Sequence, residues 1–179
     1  MSVAPEGLEE LPFGLQRERH VDVRRHTPWV RRIGIALMAA FCALALANTF
    51  GQVATVTDSA APAATLRIDS PTRLRSGLLF TTVITISAAQ KINDARLRLS
   101  PGWFNGITLN AAAPQSSQES SDSAGTTMDF GSIDAGSAMP VWISWQVNPT
   151  TAGGRDQDVT LWDGDKQILT VHRSVFVFP

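Results

Sequence analysis

Cysteine is almost missing from this chain. The one thiol, Cys42, sits inside an apolar run, so everything after it is cysteine-free. Disulfides and cysteine-ligated metals are thereby excluded from the folded part, and such a domain tolerates either redox compartment. An excess of charge is lacking as well: 15 Lys and Arg stand against 16 Asp and Glu, for a net charge of -1. Without a basic surplus, a nucleic-acid partner has no electrostatic support. Histidine is scarce beyond the apolar run, where only His172 occurs. A nucleophile–base set would have to be built on it, with Ser174 as its neighbour on the same strand face. No G-x-S-x-G motif, phosphate-binding loop, dinucleotide fingerprint or zinc spacing supports such chemistry. Asp156 with Asp158, and Asp163 with Asp165, fail the EF-hand pattern, and Asp163-Gly164-Asp165 is already explained as a turn. The reading is a noncatalytic protein with no cofactor and no metal.

One stretch lacks charge altogether. From Ile33 through Val56 the uncharged run is about 24 residues long, against the roughly 20 that a spanning helix needs. No polar face recurs between Ile33 and Ala47, which argues against the core helix of a soluble domain. Ala45-Leu46-Ala47 forms an A-x-A pattern, so cleavage that releases Asn48 is the alternative to a retained anchor. The preceding head, however, is long for a signal sequence and carries Glu6, Glu9, Glu10, Glu18 and Asp22. Val30 and Gly34 fit a twin-arginine signal poorly, and Phe41 is too bulky to precede a lipidated Cys42. Residues 30–56 are therefore read as a single transmembrane helix, retained in the lipid bilayer. Arg17, Arg19, Arg24, Arg25, Arg31 and Arg32 crowd its N-terminal side, whereas the other side first meets Asp58 and then Arg67. That asymmetry keeps the N-terminus cytoplasmic and exports the rest, giving a single-pass protein of the cell membrane with an extracytoplasmic domain. Residues 1–29 read as a disordered cytoplasmic head and residues 57–64 as a linker.

From residue 65 to 179 the period becomes two. TLRID (65–69), LLFTTVITIS (78–87), ARLRLS (95–100), ITLN (107–110), TTMDFGS (126–132), VWISWQV (141–147), DVTLW (158–162) and ILTVHRSVFVF (168–178) read as strands. Pro101-Gly102, Asn105-Gly106, Gly153-Gly154 and the hairpin signal Asp163-Gly164 separate them. Residues 112–125 read as a polar, mobile loop. Frequent turns and no helical period predict an all-β fold, an Ig-like antiparallel β-sandwich, with a barrel as the alternative. Trp145 shares a face with Val141, Ile143 and Val147 and is the predicted core tryptophan.

Leu99-Ser100-Pro101-Gly102-Trp103 resembles the strand-to-turn motif of bacterial cell-surface Ig-like domains of the cell-adhesion-related, CARDB-like kind. The run from Phe130 to Gly136 resembles their G-x-I-x-A-G turn, and Val147-Asn148-Pro149 and Gly153-Gly154 follow as in that group. The resemblance implies an extracytoplasmic spacer or binding module and brings no catalytic residues with it. The Ala- and Arg-rich, Lys-poor composition is similar to that of high-GC bacteria such as actinobacteria.

The expected function is that of an anchored binding or structural module acting on a membrane or cell-envelope protein. The alternative is a small extracytoplasmic ligand-binding protein or envelope enzyme with its site near the 112–125 loop. Arg96 and Arg98 point away from the core on one strand, and Trp142 does so on another. If the two strands share a sheet, the three form one interaction patch of the kind found at interface hot spots.

Overall fold

The computed structural model describes residues 27–49 and 51–179. Nearly all of the predicted head lies outside those residues. The chain divides after Thr49 into two units.

Among its described residues, the first has one helix, α1 (Thr27–Leu46), about 30 Å long at 1.5 Å per residue. It is long and apolar enough to cross a membrane, and Ile33, Met38, Phe41 and Leu44 are all exposed along it. It ends in a Schellman cap. The Thr49 N–H donates to the Leu44 carbonyl and the Asn48 N–H to that of Ala45, with Asn48 in the left-handed conformation at φ 52°. The helix therefore stops ten residues short of the predicted boundary at 56.

The second unit contains thirteen strands: β1 (Ala54–Ala60), β2 (Ala64–Pro71), β3 (Arg73–Arg75), β4 (Leu79–Ala88), β5 (Ala95–Leu99), β6 (Ile107–Ala113), β7 (Gln118–Asp122), β8 (Gly125–Asp129), β9 (Ala138–Val147), β10 (Gly153–Asp156), β11 (Val159–Asp163), β12 (Lys166–Val171) and β13 (Ser174–Phe178). Two five-stranded antiparallel sheets, ordered β1-β2-β4-β9-β6 and β12-β11-β5-β8-β7, share one hydrophobic core. A small sheet, β10-β13-β3, adds a parallel pair between β13 and β3. The fold is the all-β sandwich that the alternation predicts, preceded by one apolar helix.

The inward positions are those the period-two reading assigned. Phe80, Thr82, Ile84 and Ile86 of β4 are buried, as are Ala95, Leu97 and Leu99 of β5 and Val141, Ile143, Trp145 and Val147 of β9. Trp145 lies between Phe80, Trp103 and Phe104, with ring centroids 6.3, 5.3 and 5.6 Å away. Asp163-Gly164 closes the β11–β12 hairpin, where Asp163 pairs with Lys166.

Three segments differ from expectation. The first half of the predicted linker over 57–64 belongs to β1, which pairs with β2 along its whole length. None of its side chains is buried, so an edge strand held by its backbone leaves no apolar alternation to read. The predicted mobile loop over 112–125 contains β7, which forms a hairpin with β8 and is likewise exposed throughout. The run 168–178 is two strands in different sheets, because the chain crosses from β12 to β13 at His172 and Arg173.

Candidate interaction surface

β5 lies at the centre of its sheet, between β11 and β8. Its inward residues are small and branched, and its outward residues are Arg96 and Arg98. Register places Arg96 opposite Trp162 on β11 and Asp129 on β8, and Arg98 opposite Thr160 and Thr127. The structure thus joins two of the three predicted patch residues. It does not join Trp142, which stands half-exposed on β9 in the opposite sheet. The single Arg96–Arg98–Trp142 patch is therefore incorrect: the two strands turn their outward faces to opposite sides of the sandwich. The tryptophan beside the arginines is Trp162.

Arg96 is ringed by carboxylates. Its Nη2 lies 2.5 Å from Asp94 Oδ2, its Nε 3.7 Å from Asp129 Oδ2 and its Nη1 3.7 Å from Asp165 Oδ1. Arg98 pairs with Asp122 across the sheet. Exposed pairs of this sort contribute little stability, so their main effect is to hold the guanidinium planes in place. A shallow cleft of about 220 Å³ opens between Arg96, Arg98, Thr127, Trp162, Gly164 and Asp165. Two donors at this face, the Trp162 indole N–H and Arg98 Nε, are shielded from solvent and have no acceptor. A free anion entering the cleft would meet the carboxylates of Asp94, Asp122, Asp129 and Asp165.

Other predicted positions resolve differently. His172 is exposed, and its Nδ1 lies 3.1 Å from Asp158 Oδ2. Ser174 pairs in register with Asp156 on β10. Asp163 Oδ1 accepts the backbone N–H groups of Asn93 and Asp94, both at 2.9 Å, and so ties down the loop before β5. Among the described residues no three His, Cys, Asp or Glu side chains converge as a metal site would require. Near the predicted loop site, a groove of about 390 Å³ runs between β6 and β7, lined by residues including Leu109, Ala111, Gln115, Ser116 and Glu119.

Arg173 escaped sequence reasoning. It is buried, and its Nη2 donates to the carbonyls of Ser70 and Pro71 at 3.2 and 2.9 Å. Its guanidinium lies 5.3 Å over the Trp103 ring, whose indole N–H donates to the Asp158 carbonyl at 3.1 Å. Burial lowers its pKa to about 10, which leaves it charged at neutral pH. The parity of β12 and β13 carried the signal: Leu169, Val171, Val175 and Val177 are inward, and Arg173 falls in the same series.

No protein-family model matches the chain, and no curated protein does. Among solved structures it is similar to the FixG-related protein from Vibrio parahaemolyticus, at 8% identity and a TM-score of 0.33, covering 57% of this chain and 82% of that one. It is also similar to Pseudomonas fluorescens alkylpurine DNA glycosylase AlkC bound to DNA containing an abasic site analog. There the identity is 14% and the TM-score 0.32, with 93% of this chain and 41% of that one covered. Likenesses this distant carry no argument about function.

Proposed function

We propose that the chain is a single-pass membrane protein whose helix α1 anchors a noncatalytic β-sandwich outside the cytoplasm. The sandwich binds a membrane or cell-envelope protein through the face made by Arg96, Arg98 and Trp162. The observation that carries the anchor is α1 itself: an apolar helix of membrane-spanning length, its side chains exposed, closed by its own cap at Asn48. Ala45 to Ala47 lie in the last turn and cap of that helix, a geometry that favours a retained anchor over a cleaved signal. The arginines before α1 support a cytoplasmic N-terminus. A binding role fits a sandwich with a filled interior, whose outward face offers an indole and two guanidinium groups at paired register positions.

The test places a photo-crosslinking residue at Thr127, which lines the cleft. In living cells it gives a discrete adduct with a membrane or envelope protein, and Trp162→Ala removes that adduct while the domain stays folded. A folded Trp162→Ala variant that keeps the adduct contradicts the assignment of this face. Ligand binding in the β6–β7 groove is a second reading, favoured by the hydroxyl and amide groups that line it. It predicts that Ser116→Ala, rather than Trp162→Ala, abolishes function.

A further inference from the structure

One end of the sandwich differs in charge and polarity from the other. Pairing brings Ala54 beside Pro71, Leu79 beside Gln146, Ile107 beside Val147 and Arg75 beside Phe178. The turns at this end are tied together, since the Gly77 N–H donates to the Val147 carbonyl, that of Ser76 to Phe178 and that of Asn148 to Gly106. The stretches that meet here are residues 51–54, 71–79, 105–108, 147–153 and 176–179, and they contain no Asp or Glu. Their charged side chains are Arg73 and Arg75, both exposed. They also present Val53, Leu78, Leu79 and Phe176, at 56, 47, 61 and 47% exposure, an unusual set of large apolar side chains left open to solvent. The opposite end carries Asp94, Asp134, Asp163 and Asp165 against Lys91 and Lys166.

The apolar, basic end is the one where the chain enters the domain. With its amide oriented to satisfy both partners, Gln52 accepts from the Arg75 N–H and donates to the Leu79 carbonyl, each at 3.2 Å. Thr49 still belongs to the cap of α1. Three residues of chain reach at most about 10–11 Å whatever path they take. The membrane-competent stretch Pro28–Leu46 is 19 residues, about the thickness of the hydrocarbon core, so it has no length to spare beyond Leu46. No basic residue lies in the last turn of α1 to mark a deeper interface.

We infer that this end of the sandwich rests on the bilayer, with Val53, Leu78 and Leu79 in the headgroup layer and Arg73 and Arg75 against anionic lipid headgroups. The inference builds on the anchor proposed above. The short tether confines the rim to the neighbourhood of an interfacial layer about 5–8 Å deep on each side of the hydrocarbon. Apolar side chains flanked by arginine suit that layer, where guanidinium groups can pair with lipid phosphates. The occupant is lipid rather than a second protein because the tether keeps lipid within reach at all times.

The test uses the full chain in nanodiscs of phosphatidylcholine with phosphatidylglycerol, in a Cys42→Ala background. Nitroxide labels are attached through Ala40→Cys in the helix, Leu79→Cys at the rim and Asp134→Cys at the far end. Relative accessibility to oxygen and to a water-soluble nickel reagent reports depth. The expected result is position 40 in hydrocarbon, position 79 at headgroup depth and position 134 in water, with Arg75→Glu moving position 79 toward water. Position 79 as water-exposed as position 134, with position 40 in hydrocarbon, overturns the docked rim and leaves the anchor standing. A label at 79 shielded from both reagents identifies a protein cover and also overturns it. Position 40 in water overturns the anchor and the rim together.

Discussion

Trp145 and Trp103 are stacked in the same core, yet replacing each by phenylalanine should have unequal consequences. Trp145 is fully buried, and its indole N–H has no acceptor. Trp145→Phe opens a small cavity worth about 1 kcal/mol, but it also removes a buried unsatisfied donor that costs about 1–3 kcal/mol. The gain equals or exceeds the loss, so stability should hold or rise by up to about 2 kcal/mol. Trp103 is equally buried, but its N–H donates to the Asp158 carbonyl and its face carries the Arg173 guanidinium. Trp103→Phe incurs a similar cavity, loses a hydrogen bond of about 1 kcal/mol and weakens a cation–π contact of about 0.5–1 kcal/mol, for a total of about 2–3 kcal/mol. The Asp158 carbonyl keeps the Ser100 N–H, so no new unsatisfied acceptor adds to that sum. Trp145→Ala, by contrast, should cost about 3–5 kcal/mol. Urea titrations of the full chain in detergent, followed by far-ultraviolet circular dichroism, measure all three with unchanged m values. Equal losses for the two phenylalanine variants, or a larger loss at Trp145, would refute the assigned hydrogen bonding.

Backbone packing and buried charge yield two further expectations. A Cβ at Gly102 would lie 1.8 Å from the Asp156 carbonyl oxygen, whereas one at Gly154 meets only a Phe176 ring atom at 3.9 Å. Gly102→Ala should cost at least about 1–3 kcal/mol and Gly154→Ala under about 0.5 kcal/mol, as thermal melts of the two variants will show. Arg173→Ala strands the Ser70 and Pro71 carbonyls and should cost about 3 kcal/mol, given about 1.5–3 for hydrogen bonds to a charged group. His172→Ala, at an exposed position, should fall within about 0.5 kcal/mol of the parent in the same urea titration.

Much of the fold was legible because burial follows strand parity. Leu97 between Arg96 and Arg98, or Trp145 between Ser144 and Gln146, declares its inward face without any knowledge of the partner strand. Parity says nothing, however, about which strands share a sheet. Trp142 and Trp162 are both outward by the same reading, and only the order β12-β11-β5-β8-β7 puts Trp162, not Trp142, beside Arg96. Edge strands escape for a different reason. β1 and β7 bury no side chain, so their backbone pairing leaves no trace in hydrophobicity. The break between β12 and β13 was hidden because Arg173 continues the inward parity while its charge is met by carbonyls from Ser70 and Pro71, about a hundred residues away in sequence. The charge contrast between the two ends of the sandwich appears only once the turns are assembled.

The most direct measurement is protease accessibility of the chain tagged at both ends, in cells stripped of their outer envelope, with N-terminal sequencing of the membrane-bound product. The anchor assignment predicts an uncleaved chain that resists alkaline extraction, loses its C-terminal tag to external protease and keeps its N-terminal tag protected. A mature chain beginning at Asn48, or a C-terminal tag that protease reaches only after lysis, would contradict it.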